Sequence, residues 1–154
     1  MDTSAVTKRY VRERGSDQID TLYRAAEQGK IRLAYSIWNV GEVLGVLDKM
    51  RTRGSLTQQQ YDAAISLYFG ENEKLVRLNS LVIAPLTSAI LVESWRIIGE
   101  QHVYAADAVQ IATSAQMGAN LFLTADKRLT EAASNHGLEA INVEEKNDIQ
   151  EKIE

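Results

Sequence analysis

Four acidic residues stand where chemistry can be done. Asp107 and Asp126 bracket the stretch His102–Ala133, in which a helical pattern, a turn at Gly118 and the apolar run Asn120–Thr124 lead to a carboxylate just as a new helix begins. In open α/β sheets ligands collect beyond the carboxyl ends of strands, which places Asp126 well. Asp107 shares a helix face with Tyr104, Ala108, Ile111, Ala112 and Ala115, the stripe expected to be buried. Glu42 is the one charge between Leu33 and Leu47, and a carboxylate in such a run is costly unless it is paired, hydrogen-bonded or metal-bound. Asp2 stands ahead of a short helical pattern. Four carboxylates brought together raise one another's pKa, and a divalent cation relieves that strain. An all-oxygen site suits Mg2+ or Mn2+, and an ion so held hydrolyses phosphodiesters by activating a bound water, with no side-chain nucleophile. Each residue also has a plainer reading. Asp107 has capping-box spacing with Gln110, Asp126 can cap the helix Lys127–His136, and Glu42 can face water on a stripe with Trp38 and Lys49. His102 and His136 have no ligand spacing and read as surface or helix-end residues.

The elements that must position these acids follow from periodicity and punctuation. Helical patterns cover Val6–Val11, Asp17–Gln28 (stopped at Gly29), Ile37–Met50, Thr57–Phe69, Glu71–Asn79 beyond a break at Gly70, and Thr87–Glu100. Strand candidates are Ile31–Ser36, Leu81–Ala84 closed by Pro85, the run before Asp126, and Leu138–Val143. Strands alternating with one or two helices predict α/β architecture: a parallel sheet of about four to five strands with helices on both faces.

Composition bounds the rest. At 154 residues and 45% hydrophobic, the chain fits one domain with a substantial core. One proline, no low-complexity stretch and no repeat leave no candidate linker. No apolar run is long enough to span a membrane, no secretory pattern opens the chain, and zero cysteines suit a reducing, cytoplasmic setting. The net charge of −4 is concentrated in the tail 144–154, with five acids against two lysines, leaving 15 basic and 16 acidic residues before it. A polyanionic partner is therefore compatible with the body of the chain.

The opening DTSAVTKRY, the solitary Glu42, the segment AADAVQIATSAQ and the close TADKRLTEAA resemble the PIN domain in the form found in VapC-type toxins of toxin–antitoxin modules. The resemblance implies a PIN-like domain over 1–143, followed by a charged tail over 144–154. It also implies a Mg2+- or Mn2+-dependent ribonuclease with Asp2, Glu42, Asp107 and Asp126 as ligands and Ser4 and Thr124 as supporting hydroxyls. An RNA substrate, an antitoxin partner and a homodimer are implied with it. A PIN-like nuclease of RNA processing outside a toxin module and a catalytically silent PIN-like binding protein remain open. A haloacid-dehalogenase-type phosphatase needs an aspartate where Ser4 stands. A receiver domain needs an acidic neighbour for Asp2 and a lysine after the last strand, and has neither. Lys8, Arg9, Arg12 and Arg14 after Asp2, and Lys127 and Arg128 after Asp126, are candidates for phosphate contacts; a solvated helix face explains them equally. Large rings at Trp38, Tyr61, Tyr68, Phe69 and Trp95 add to the expectation of a dimer.

One departure from the family pattern concerns the start. The family places a central apolar strand before its first aspartate, whereas only Met1 precedes Asp2 here. The expectation is that the natural protein begins upstream. A second expectation is that the α-amino group is largely protonated beside a proposed ligand and competes with the cation.

Overall fold

A computed structural model describes residues 1–145 and 149–153. Of the tail expected over 144–154, residues 146–148 and 154 lie outside the described residues. The elements run α1 (Thr3–Thr7), α2 (Ser16–Glu27), β1 (Leu33–Ser36), α3 (Ile37–Thr52), α4 (Gln58–Arg77), β2 (Leu81–Ala84), α5 (Ser88–Gln101), α6 (Ala105–Gln116), β3 (Phe122–Thr124), α7 (Lys127–Asn135), β4 (Ala140–Asn142) and α8 (Ile149–Ile153). No helix among them is long and apolar enough to cross a membrane. Local chemistry explains most boundaries. Ser36 ends β1 and caps α3, its side chain accepting from the Trp38 amide while Asn39 reaches back to the Ser36 amide. Thr57 and Gln60 form the same reciprocal box at α4. α4 runs unbroken through Gly70, where two helices were expected. A single helical glycine costs about 1 kcal/mol, which burial of Tyr68, Asn72 and Leu75 on either side outweighs.

The fold is α/β with parallel strands, as expected, but the strands lie in two pairs. β1 pairs with β2 in the register Leu33↔Leu81 to Ser36↔Ala84, and β3 with β4 from Phe122↔Ala140 to Thr124↔Asn142. Among the described residues, Met1 and Asp2 bridge the pairs. The α-amino nitrogen of Met1 donates to Ala34 O at 2.8 Å and the Asp2 amide to Leu123 O at 2.9 Å. Burial pushes that amino group down to about 6, which corrects the expectation of a largely protonated terminus.

Two apolar clusters hold these layers. One joins α1, α2, β1, α3 and α4 through Val6, Ile19, Tyr23, Tyr35, Leu47 and Tyr68. The other joins α5, α6, β3 and α7 through Ile97, Ile111, Phe122 and Ala133. Gly15, the N-cap of α2, sits at φ +89°, and a Cβ there would stand 2.5 Å from Val143 O. Gly15→Ala is expected to cost at least about 1–3 kcal/mol from backbone strain alone, before the clash, and to lower the melting temperature by several degrees. A thermal melt equal to that of the parent would show that this loop relaxes freely.

Candidate active site

Asp2, Glu42, Asp107 and Asp126 all line one cleft of about 580 Å³. Asp2 comes from the two-residue link between the half-sheets and caps α1: its Oδ1 accepts from the Ala5 amide at 2.8 Å. Ser4 Oγ donates to the same carboxylate, and Thr124 Oγ1 donates to its Oδ2 at 2.8 Å. Ser4 also accepts from the Ala125 amide and Thr124 from the Asp126 amide, so the two hydroxyls tie Asp2 to the turn carrying Asp126. Burial raises the Asp2 pKa, against the pull of these hydrogen bonds.

Glu42 projects from the second turn of α3 and is half-buried. Its Oε2 accepts from Thr3 Oγ1 at 2.7 Å and from Gln110 Nε2 at 2.6 Å. Gln110 Oε1 in turn accepts from the Thr3 amide and from Asn39 Nδ2, both at 3.0 Å. Asn39 Nδ2 also reaches Thr3 Oγ1 at 3.0 Å. This network fixes one oxygen of the half-buried Glu42 carboxylate at the cleft. It also takes Gln110 away from the capping box considered with Asp107. α6 is instead capped at Tyr104, without a side-chain bond, and Asp107 sits in its first turn. The Asp107 carboxyl is pushed up to about 6, first by burial and then by the charges of Asp2, Glu42 and Asp126. Asp126 does cap α7, its Oδ1 accepting from the Arg128 amide at 2.7 Å and the Leu129 amide at 3.2 Å. Its cap role and its place in the cleft coexist.

The four acids share the cleft without forming a closed cage. Among the described residues, no group of three or more acidic or histidine side chains is arranged to hold a metal ion as it stands, where direct convergence was expected. Asp2 is engaged by internal hydrogen bonds and Asp126 by the cap of α7. The donor set is nonetheless hard oxygen throughout, and the mutual repulsion felt by Asp107 is the strain a divalent cation would relieve. In donor chemistry the residues fit Mg2+ or Mn2+.

The basic candidates separate. Lys8 lines the cleft but is buried, bonded to Glu13 at 3.1 Å and Glu144 at 2.6 Å. Arg9 joins Asp20 and Glu71, and Arg12 joins Asp17 and Asp20, in a network tying the segment after α1 to α2 and α4. Arg128 lines a small adjoining pocket with Asp107 and Asp126, its guanidinium donating to His102 O. Lys127 lines neither pocket. His102 and His136 close α5 and α7 as helix-end residues. Lys49, on the cleft wall, and Thr3, Asn39 and Gln110 were not singled out as site residues from the sequence. Nothing local in the sequence marks Gln110 as a partner of residues 107 and 68 positions away.

A model of the PIN domain matches residues 1–135. The chain belongs to the PIN domain family. No curated protein matches it. PIN membership places the chain in a superfamily of nucleases, hydrolases that generally work with divalent metals.

Proposed function

We propose that this PIN domain is a Mg2+- or Mn2+-dependent endoribonuclease, with Asp2, Glu42, Asp107 and Asp126 as its metal-holding residues. The observation that carries the reading is the gathering of these four acids on one cleft, with the Asp107 carboxyl raised first by burial and then by the charges of the other three. A bound cation would supply an activated water and charge stabilisation on the phosphodiester. Ser4 and Thr124 fix Asp2, Gln110 and Thr3 fix Glu42, and the α7 amides orient Asp126. Lys8 and Lys49 line the same cleft as the acids, and Arg128 lines the adjoining pocket with Asp107 and Asp126; these are the first candidates for phosphate contacts. Arg9, Arg12 and Lys127 are the weaker part of the proposed substrate contact set. The test is cleavage of structured and unstructured RNAs with magnesium and with chelator. Cleavage that survives chelation, or no cleavage together with phosphoryl transfer from acetyl phosphate, would overturn the reading.

The open arrangement of the acids favours a second reading, a PIN domain that binds partners without cleaving. Metal binding separates the two. Glu42→Gln keeps the shape and the acceptor oxygen that Thr3 and Gln110 use, so the fold should hold while Mn2+ affinity falls by roughly 10-fold or more. Unchanged affinity in a calorimetric titration would remove Glu42 from the ligand set.

The biological setting we propose is that of a toxin in a toxin–antitoxin module, acting in the cytoplasm and held in check by an antitoxin; the resemblance of its motifs to VapC-type toxins supports this. A homodimer belongs to the same proposal. Val92 and Trp95 on α5 are 58% and 65% exposed and Trp38 on α3 is 47% exposed, whereas Tyr68, counted with them from the sequence, is buried. Exposed apolar side chains of that size favour association. Light scattering at high concentration should give twice the chain mass, and a monomer mass would end the idea.

A further inference from the structure

Tyr104 is the most exposed large apolar side chain among the described residues, at 81%. Among the same residues its ring meets no other ring or cation and its hydroxyl makes no hydrogen bond. It stands at the N-cap of α6 without a side-chain bond, where Ser, Thr, Asn or Asp would stabilise the helix. The turn between α5 and α6 fixes its place. His102 closes α5 in the left-handed region at φ +54°, and its carbonyl accepts from the Arg128 guanidinium. Tyr104 follows in the same turn and Asp107 in the first turn of α6, so one short stretch sets a ring, a cation and a carboxylate side by side. They meet in a pocket of about 70 Å³ lined by Val103, Tyr104, Asp107, Asp126, Arg128 and Leu129. Asp107 and Asp126 also line the larger cleft that holds Asp2 and Glu42.

We propose that Tyr104 is a base-stacking residue that selects single-stranded RNA, its ring taking the face of a nucleobase next to the phosphate at the acids while Arg128 meets a phosphate oxygen. The proposal rests on the nuclease reading for the polymer that reaches the acids, and adds which form of that polymer is taken. A base inside a duplex is stacked on both faces and paired at its edge, so it offers no face to an outside ring. An unpaired base can turn out of its strand and lie on an aromatic side chain. Stacking on one ring reads no pattern of donors and acceptors, so the selection is for unpaired structure and not for sequence. The surroundings of the ring favour RNA over a protein partner. Asp107, Asp126 and Arg128 make the pocket wall charged, whereas the centre of a protein interface is depleted of charge.

The experiment compares the full chain with its Tyr104→Ala, Tyr104→Leu and Tyr104→Phe variants. The probe is a short unstructured RNA carrying 2-aminopurine between uridines, placed at each position in turn, with the same sequence in a blunt duplex as control. Binding is read in calcium, which takes the same oxygen ligands with looser geometry. Tyr104→Ala and Tyr104→Leu should each weaken binding of the single strand about 10-fold and abolish the fluorescence quenching that stacking gives at one position. Tyr104→Phe, which keeps the flat ring, should restore both, and duplex binding should be equal in all four proteins. Because the ring is exposed, the four melting temperatures should coincide. Parental single-strand binding by Tyr104→Ala, full rescue by Tyr104→Leu, or an equal loss on the duplex overturns the stacking assignment. So does failure of the parent to bind either RNA, and a change of solution mass in Tyr104→Ala assigns the ring to a protein interface instead. Ring-dependent binding without cleavage in magnesium leaves the stacking assignment standing and sinks the nuclease reading. Magnesium-dependent cleavage that is equal in the parent and Tyr104→Ala at low RNA concentration does the reverse.

Discussion

Asp126→Asn and Asp107→Asn are each expected to lower magnesium-dependent cleavage by on the order of 100-fold or more while leaving the protein folded. For Asp126 the structure supplies the reason the fold survives: asparagine caps a helix about as well as aspartate, so the bonds from the Arg128 and Leu129 amides have a substitute acceptor. Activity lost with the cap intact then reports the charge. For Asp107 the metal-free protein should gain stability. Its carboxyl titrates at about 6 in the fold against an ordinary 3.8, so the folded state binds that proton more tightly than the unfolded chain does. The stabilisation is complete below pH 4 and lost as pH rises toward 6; above that the native state carries an ionised carboxylate among like charges. Because the group is only about half buried, solvent screening cuts the nominal effect to roughly 1–2 kcal/mol. Asp107→Asn should remove that slope and raise the melting temperature of the metal-free protein at pH 7 by a few degrees. Parental cleavage in either variant, or a melting temperature of the Asp107 variant that falls at pH 7, would take that residue out of the proposed site.

The sequence is most legible where the signal is local. β2 matches its expected span, Leu81–Ala84, because an apolar run ending at Pro85 leaves little choice. α5 falls within one residue of its expected limits because Thr87 caps it. The acids of the cleft were legible for a related reason: each stands at a helix start or alone in an apolar run, where a charge needs a cause. For the basic residues, adjacency in sequence to an acid does not by itself give adjacency in space. α1 ends at Thr7, and the chain that follows carries Arg9 and Arg12 to Asp20 and Glu71. The division of the strands into two pairs was not foreseen as such. It depends on what lies between β1 and β3, and periodicity within each strand is blind to that. Least legible of all were the residues that aim Glu42, since Thr3, Asn39 and Gln110 meet only after three helices have packed.

Those three residues carry the second large effect. Gln110 is 3% exposed and its amide makes four bonds: Oε1 accepts from the Thr3 amide and Asn39 Nδ2, while Nε2 donates to Glu42 Oε2 and to Thr3 Oγ1 at 3.3 Å. Gln110→Leu keeps the volume and leaves two buried donors without this acceptor, at about 1–3 kcal/mol each, so the melting temperature should fall by roughly 5–15 °C. Glu42 loses the shorter of the two bonds holding Oε2, and Mn2+ affinity should drop about 10- to 100-fold. Gln110→Glu separates packing from aim. It preserves the acceptor for Thr3 and Asn39 but sets a carboxylate against Glu42 Oε2 where the parent has a donor 2.6 Å away. The two oxygens can then approach only by sharing a proton, so this variant should approach parental stability near pH 4 and lose it toward pH 7, unlike Gln110→Leu, whose deficit is independent of pH in that range. If Gln110→Leu is destabilised and still binds Mn2+ like the parent, then Gln110 supports the fold alone and Glu42 is aimed by Thr3.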